Sequence, residues 1–170
     1  MGLFSSLSLE SMEDLLRVEV EDLYDAEQRL TKALPKMAEA ASHPKLRMAF
    51  ETHLRETQEH VARLEKVFGL LGQSATAKTC QAMKGLIAEG EEVISADGED
   101  AVRDAALIAA AQRVEHYEIA AYGSARTFAE QLGQSAIAKV LQQTLEEEFA
   151  ADETLTKIAE SAVNASATRR

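Results

Sequence analysis

An internal repeat at an offset of 91 residues constrains the fold of this chain more than any other feature. Leu16 overlies Leu107, Leu23 overlies Val114 and Leu46 overlies Ile137. The match continues with Phe50 on Leu141, Leu54 on Leu145 and Leu64 on Leu155. In each half the apolar residues recur at intervals of three and four, the spacing of a helix that turns one face to a core. Two such stripes joined by a tight turn make an antiparallel helix hairpin, and the chain contains two of these. Apolar periodicity alone would give any two hairpins much of this agreement. The polar coincidences say more: Glu27 falls on Glu118, and Glu56 falls on Glu147.

The first helix is expected over about residues 9–41, with Leu16, Val20, Leu23, Glu27, Leu30, Leu34, Met37 and Ala41 on its stripe. Pro35 lies inside it and removes one ladder hydrogen bond, but the apolar phase continues beyond. Pro44 suits the first position of a second helix, about 44–70, with the stripe Leu46, Phe50, Leu54, Thr57, Val61, Leu64 and Phe68. A short helix over about 79–94 carries Met83, Leu86, Ile87 and Ile94. Two further long helices follow, about 99–132, closed by Gly133, and about 135–160. Residues 161–170 read as a flexible tail. The link from Leu71 to Gly98 takes roughly 28 residues, enough to travel the length of a bundle. The predicted fold is therefore all-α, one domain over residues 1–160. It is a ferritin-like four-helix bundle with one long crossover carrying an additional short helix. Only 8 Gly and 2 Pro are present, too few breakers for a turn-rich β fold.

The net charge of −11, with Lys and Arg scattered among acids, argues against a nucleic-acid partner and favours cations as small ligands. No apolar run reaches membrane-spanning length, and the N-terminus lacks a secretory pattern. The one cysteine, Cys80, cannot pair within the chain, so a reducing cytoplasm is the expected setting. Cys80 reads as a buried structural residue, since Lys78 is the one basic group near it in sequence.

Glu27 and Glu118 stand where a helical stripe calls for apolar side chains. Glu27 precedes Ala41 by 14 residues, as Glu118 precedes Leu132; Glu56 follows Pro44 by 12, as Glu147 follows Ser135. At about 1.5 Å of rise per residue, the partners in each hairpin differ in height by only ~3 Å. A single glutamate on a stripe is ordinarily a boundary residue that reaches water; four at one level inside a bundle are not. His53 lies one turn from Glu56, and Glu115 one turn from Glu118. Buried carboxylates need protons, basic counterions or metal ions, and no Lys or Arg lies on the stripes at this level. Two divalent cations answer the charge problem directly. The expected metal ligands are Glu27, His53, Glu56, Glu115, Glu118 and Glu147. His60 is an alternative to His53, and Glu148 replaces Glu147 if the last helix is rotated. His116 points about 100° from Glu115 and reads as lying behind the ligands. Tyr24, Tyr117 and Tyr122 read as packing residues, with Tyr24 and Tyr122 one turn from Glu27 and Glu118.

The segments LYDAEQRLTKALPKMAEAA, HLRETQEHVARLE, RDAALIAAAQRVEHYEIAAYG and TLEEEFAADETL resemble the bacterial YciE/YciF family of small, stress-associated ferritin-like proteins. The likeness covers about residues 8–160. It implies a homodimeric bundle with a dinuclear metal site and no settled activity. In the wider ferritin and rubrerythrin group, Glu27 matches the ligand of the first helix, and Glu115 with Glu118 those of the third. The second helix departs from the usual Glu-x-x-His, since the order here is His53-x-x-Glu56, and the fourth has Ala150 three residues after Glu147. The cysteine-rich metal module of rubrerythrins is absent. The expected function is a dinuclear iron or manganese protein acting on Fe(II), oxygen or peroxide, as a ferroxidase or peroxidase if it is an enzyme. The alternative is a non-enzymatic stress or structural bundle with a vestigial or absent metal site. A mineral-storing shell would need many subunits, and sizing at dimer mass would exclude it.

Overall fold

The computed structural model of the chain describes residues 8–168. Five main helices follow one another: α1 Met12–Ala40, α2 Pro44–Leu70, α3 Gln81–Ser95, α4 Asp100–Gln131 and α5 Ser135–Ile158. Ser11 caps α1 by accepting from the Asp14 backbone N–H, and Glu13 and Asp14 place negative charge in the first turn. The helix runs through Pro35 to Ala40. Pro44 opens α2 with its fixed φ and no surplus donor. The tight turn between these helices is tied from outside. The buried Asp104 carboxylate on α4 accepts from the backbone N–H of Ser42 at 2.9 Å and of His43 at 2.8 Å.

The pentapeptide LGQSA occurs twice and ends a helix both times. Gly72 and Gly133 take φ values of +70° and +69°, a left-handed conformation that glycine adopts without a Cβ penalty. Each is followed by the same six-residue closure, Gln73 N–H to the Phe68 carbonyl and Gln134 N–H to the Ala129 carbonyl, both 2.9 Å. After the second copy the chain enters α5 at once. After the first it runs extended to Cys80, which caps α3 by accepting from the Met83 N–H. The Cys80 backbone N–H donates to Asp25 on α1, and its buried Sγ lies 3.0 Å from the Tyr117 hydroxyl, which donates to Asp22. α3 thereby lies across α1 and α4.

The hairpins α1–α2 and α4–α5 pack side by side, α1 against α4 and α2 against α5, as a helical bundle. No described helix is long and apolar enough to cross a membrane. The chain does not fray at residue 161. A π-turn over Ala159–Val163 leads into a short α6, Asn164–Ala167, and both pack on α4. Val163 supplies the reason, since its side chain is buried among Leu107, Leu155 and Ile158.

The core is split along the bundle. One apolar cluster holds Leu30, Leu34, Leu46, Phe50, Leu107 and Leu155; the other holds Leu16, Leu23, Leu64, Phe68, Ala125 and Leu141. Every long helix changes from one cluster to the other at the same level. At that level its buried residues are polar: Glu27, His53, Thr57, His60, Glu115, Glu118, Thr144 and Glu148.

Candidate metal centre

Four helices build the polar layer. α1 contributes Glu27, α2 contributes His53 and His60, α4 contributes Glu115 and Glu118, and α5 contributes Glu148. On α2 the buried face runs Leu46, Phe50, His53, Thr57, His60, Leu64 and Val67, alternating steps of four and three. This places the two histidines two turns apart on one side. On α5 the buried face is Ile137, Leu141, Thr144, Glu148 and Leu155, so Glu148 turns inward and Glu147 outward.

Among the expected ligands, Glu27, His53, Glu115 and Glu118 come together in the interior. Glu56 and Glu147 lie at the rim, with side chains 41% and 30% exposed. The interior places on α5 and beside Glu27 are taken by Glu148 and His60. His116 lies outside, 69% exposed and 3.4 Å from Asp152. The physical reason for the shift on α5 is Arg63. Its guanidinium grips Glu147 with two bonds, at 2.5 and 2.9 Å, and draws that carboxylate to the edge.

The interior donors form two groups. His53, Glu115, Glu118 and Glu148 each present a ligand atom, all within 4.8 Å of one another; Glu27, His60 and Glu148 do the same. Glu148 belongs to both. His60 Nδ1 lies 3.0 Å from Glu148 and 3.3 Å from Glu27, and His53 Nε2 lies 3.4 Å from Glu115 and 3.7 Å from Glu148. These atoms are near one another yet misaligned for hydrogen bonding. His53 Nε2, His60 Nδ1, Glu27 Oε2, Glu115 Oε2 and both oxygens of Glu118 and of Glu148 have no hydrogen-bond partner among the described residues. They gather within 4.8 Å of one another without hydrogen bonds between them, an arrangement that suits the ligands of a cation. The donor set of imidazole and carboxylate fits iron or manganese.

The outward nitrogen of each histidine meets a rim carboxylate. His53 Nδ1 faces Glu56 at 3.4 Å, and His60 Nε2 faces Glu147 at 2.9 Å. Such a carboxylate behind an imidazole fixes the tautomer that leaves the inner nitrogen free to ligate. Tyr122, buried beside His60, donates its hydroxyl to Glu27 Oε1 at 2.5 Å and leaves Oε2 facing inward.

Charge is compressed here. Burial pushes the Glu118 carboxyl well above the ordinary carboxylate range, and the charges of Glu148, Glu27 and Glu115 push it further. Burial raises Glu115 as well, against the pull of His53. Burial alone would lower both histidines, but the carboxylates around them win. Glu115, Glu56 and Glu148 push His53 up to about 10, and Glu148 with Glu27 pushes His60 up to about 11. Burial would raise Glu148, yet His60 and His53 hold it below its usual range. The layer thus holds tightly either protons or a cation.

Comparison with known proteins agrees with this architecture. YciF of Escherichia coli (strain K12) is 47% identical over 159 residues, 93% of this chain and 96% of YciF. The crystal structure of the E. coli stress protein YciF superposes with a TM-score of 0.88 at 48% identity, over 92% of this chain and 99% of that one. YcfI from Rhodopseudomonas palustris gives the same TM-score, 0.88, at 45% identity and the same coverage, 92% and 99%. A protein from Xanthomonas campestris shares the fold, with a TM-score of 0.72 at 22% identity over 91% of this chain and 95% of that one. Residues 11–168 match the model of the family described as a domain of unknown function, DUF892, and the chain belongs to that family.

Proposed function

We propose that this chain is a ferritin-like protein whose polar layer holds two metal ions, iron first and manganese second, and that it acts on Fe(II), oxygen or peroxide under stress. The observation that carries this reading is the convergence of buried donors without hydrogen-bond partners, in two groups that share Glu148. The order of two hairpins and a long connection supports the ferritin-like arrangement. The stress role rests on the likeness to the E. coli stress protein.

A bound pair of such ions supplies Lewis acidity and one-electron redox chemistry. The chain's own residues prepare the place. Glu148 lies between the two groups and offers one oxygen to each. Glu27, Glu115 and Glu118 neutralise cationic charge from α1 and α4. Glu56 and Glu147 hold the outer N–H of each imidazole so that His53 Nε2 and His60 Nδ1 face inward. Tyr122 fixes the orientation of Glu27. The apolar clusters above and below exclude water and so strengthen every charge interaction in the layer.

The test is metal content. Protein reloaded with Fe(II) or Mn(II) and freed of loosely bound metal should retain about two ions per chain by elemental analysis. Glu118→Ala should lower that number and slow any consumption of peroxide or oxidation of Fe(II). If no ion is retained and Glu118→Ala changes neither quantity, the reading fails.

A second reading is a structural bundle, a role named in the description of the R. palustris relative. One observation favours it. Imidazoliums at His53 and His60 and the Arg63 guanidinium stand against carboxylates at Glu27, Glu147 and Glu148, and with Glu115 and Glu118 kept protonated the layer balances with no ion at all. Thermal stability indifferent to chelators would support that reading.

A further inference from the structure

We propose that the polar layer takes an organic hydroperoxide with an apolar body, the body lying in the cleft between α2 and α5 and the peroxide group at the cleft's inner end. The inference rests on the dinuclear reading, whose site it shares, and names the class of peroxide that site selects. The cleft has a volume of about 370 Å³ and runs from exposed Met48 to buried His53 and Glu115. Water occupies about 30 Å³ per molecule in the liquid, so a path for hydrogen peroxide alone needs only a small fraction of this space. The volume falls instead near the lower end of the roughly 300–1,000 Å³ typical of sites for small organic molecules.

The walls and the inner end differ chemically. Met48, Ala49, Phe50, Ala151, Leu155 and Ile158 make the walls apolar. An apolar body seated against them gains about 25 cal/mol for each Å² removed from water. The inner end is His53 and Glu115, 6% and 2% exposed, whose Nε2 and Oε2 lack hydrogen-bond partners among the described residues. There the cleft meets the layer that holds the ions, so a bound molecule turns its polar head to that layer and its body to the walls. Charge then narrows the choice of head. A carboxylate would meet Glu56 and Glu115 on the cleft and Glu148 beside them. An ammonium would compete with the His53 imidazole, which sits 3.4 Å from both Glu56 and Glu115. A hydroperoxide is a neutral head that the redox chemistry of two Fe(II) ions consumes. The O–O bond breaks, each Fe(II) gives one electron and becomes Fe(III), solvent gives two protons, and an alcohol and a water molecule leave.

The test compares cumene hydroperoxide with tert-butyl hydroperoxide, two tertiary peroxides that differ in their apolar bodies, and with hydrogen peroxide. The full chain, loaded with Fe(II) in the absence of oxygen, is mixed with each, and the formation of Fe(III) is followed by absorbance through one turnover. Cumene hydroperoxide should react at least about tenfold faster than either of the others. A second readout needs no metal. The product alcohol, 2-phenyl-2-propanol, should bind the chelated chain saturably, with Kd below about 1 mM by ligand-observed NMR. Ala151→Phe fills the cleft from a half-buried wall position, and Met48→Asp sets a charge on the exposed part of the wall. Each should weaken the alcohol and reduce the preference for cumene hydroperoxide at least about fivefold, with metal content as in the parent. Met48→Asp decides alone if Ala151→Phe does not fold. Equal rates for the three peroxides, no saturable binding of the alcohol, or a folded variant that changes neither readout would overturn the proposal. Metal content separates this failure from that of the dinuclear reading. A chain that retains two ions but shows no preference loses the organic substrate and keeps the metal centre; a chain that retains none loses both.

Discussion

Glu118 carries the sharpest consequence at the scale of one residue. It is fully buried and neither of its oxygens has a hydrogen-bond partner among the described residues. In chelated protein such a carboxyl costs its own desolvation, about 1–3 kcal/mol for a buried polar group left unpaired. Glu118→Leu keeps the volume and removes that cost. The variant should therefore melt about 2–8 °C above the parent in the presence of chelator. It should also lose the stabilisation that added Mn(II) gives the parent. Glu27 looks equivalent through the repeat but differs in its partners. Glu27→Leu strands the Tyr122 hydroxyl and removes a carboxylate from His60, so it should lower melting under both conditions. Scanning calorimetry on the two variants decides between them. Opposite shifts in chelator support the geometry, and a Glu118→Leu protein less stable than the parent in chelator sinks the account of Glu118.

At the scale of the helix, the connection between α1 and α2 depends on another helix. Asp104 on α4 supplies both acceptors for the Ser42 and His43 N–H groups. Asp104→Ala should cost about 2–4 kcal/mol in urea unfolding, because two charge-assisted bonds from the turn backbone to a buried carboxylate disappear. Asp100→Ala, on the exposed first turn of the same helix, is the control. Equal losses would show that the turn needs no such tie. The helices themselves were legible because their ends carry local chemistry: Ser11 before α1, Pro44 at the start of α2, and glycines 72 and 133 after α2 and α4. The phase of α2 was harder to read. A rule that seeks apolar residues selects Leu54 and Val61, whereas the buried positions are His53 and His60, one residue earlier in each case. The stricter alternation of steps from Leu46 to Val67 would have revealed this. It is overridden in a hydrophobic reading because the imidazoles there face carboxylates from three other helices. Within LEEEF the sequence left Glu147 and Glu148 as alternatives; the spacing Ile137, Leu141, Thr144, Glu148 and the Arg63 grip on Glu147 decide for Glu148. The continuation past Ile158 through a π-turn has no sequence signal beyond the later burial of Val163.

For the whole molecule, pH separates a layer filled by protons from one filled by cations. His53 and His60 ordinarily titrate near 6.5, and in the fold they are pushed up to about 10 and about 11. The folded chain then holds more protons than the unfolded one between these values, so this contribution is complete below about 6.5 and is lost as pH rises through 10 to 11. Glu115 and Glu118, raised above their usual 4.5, act in the same sense from lower pH upward. Glu147 and Glu148, held below 4.5, act oppositely, and their contribution is lost as pH falls through their lowered values. Chelated protein should therefore be most stable near about pH 4.5, and its melting temperature should fall above that value, more steeply from about pH 6.5 to 9.5. A cation demands deprotonated ligands, so its binding grows stronger over the same interval. Melting curves with Mn(II) and with chelator should accordingly coincide near about pH 5 and diverge as pH rises, the loaded protein remaining the more stable. Two curves that fall together across this interval would mean that protons alone balance the layer, and the structural reading would stand in place of the dinuclear one.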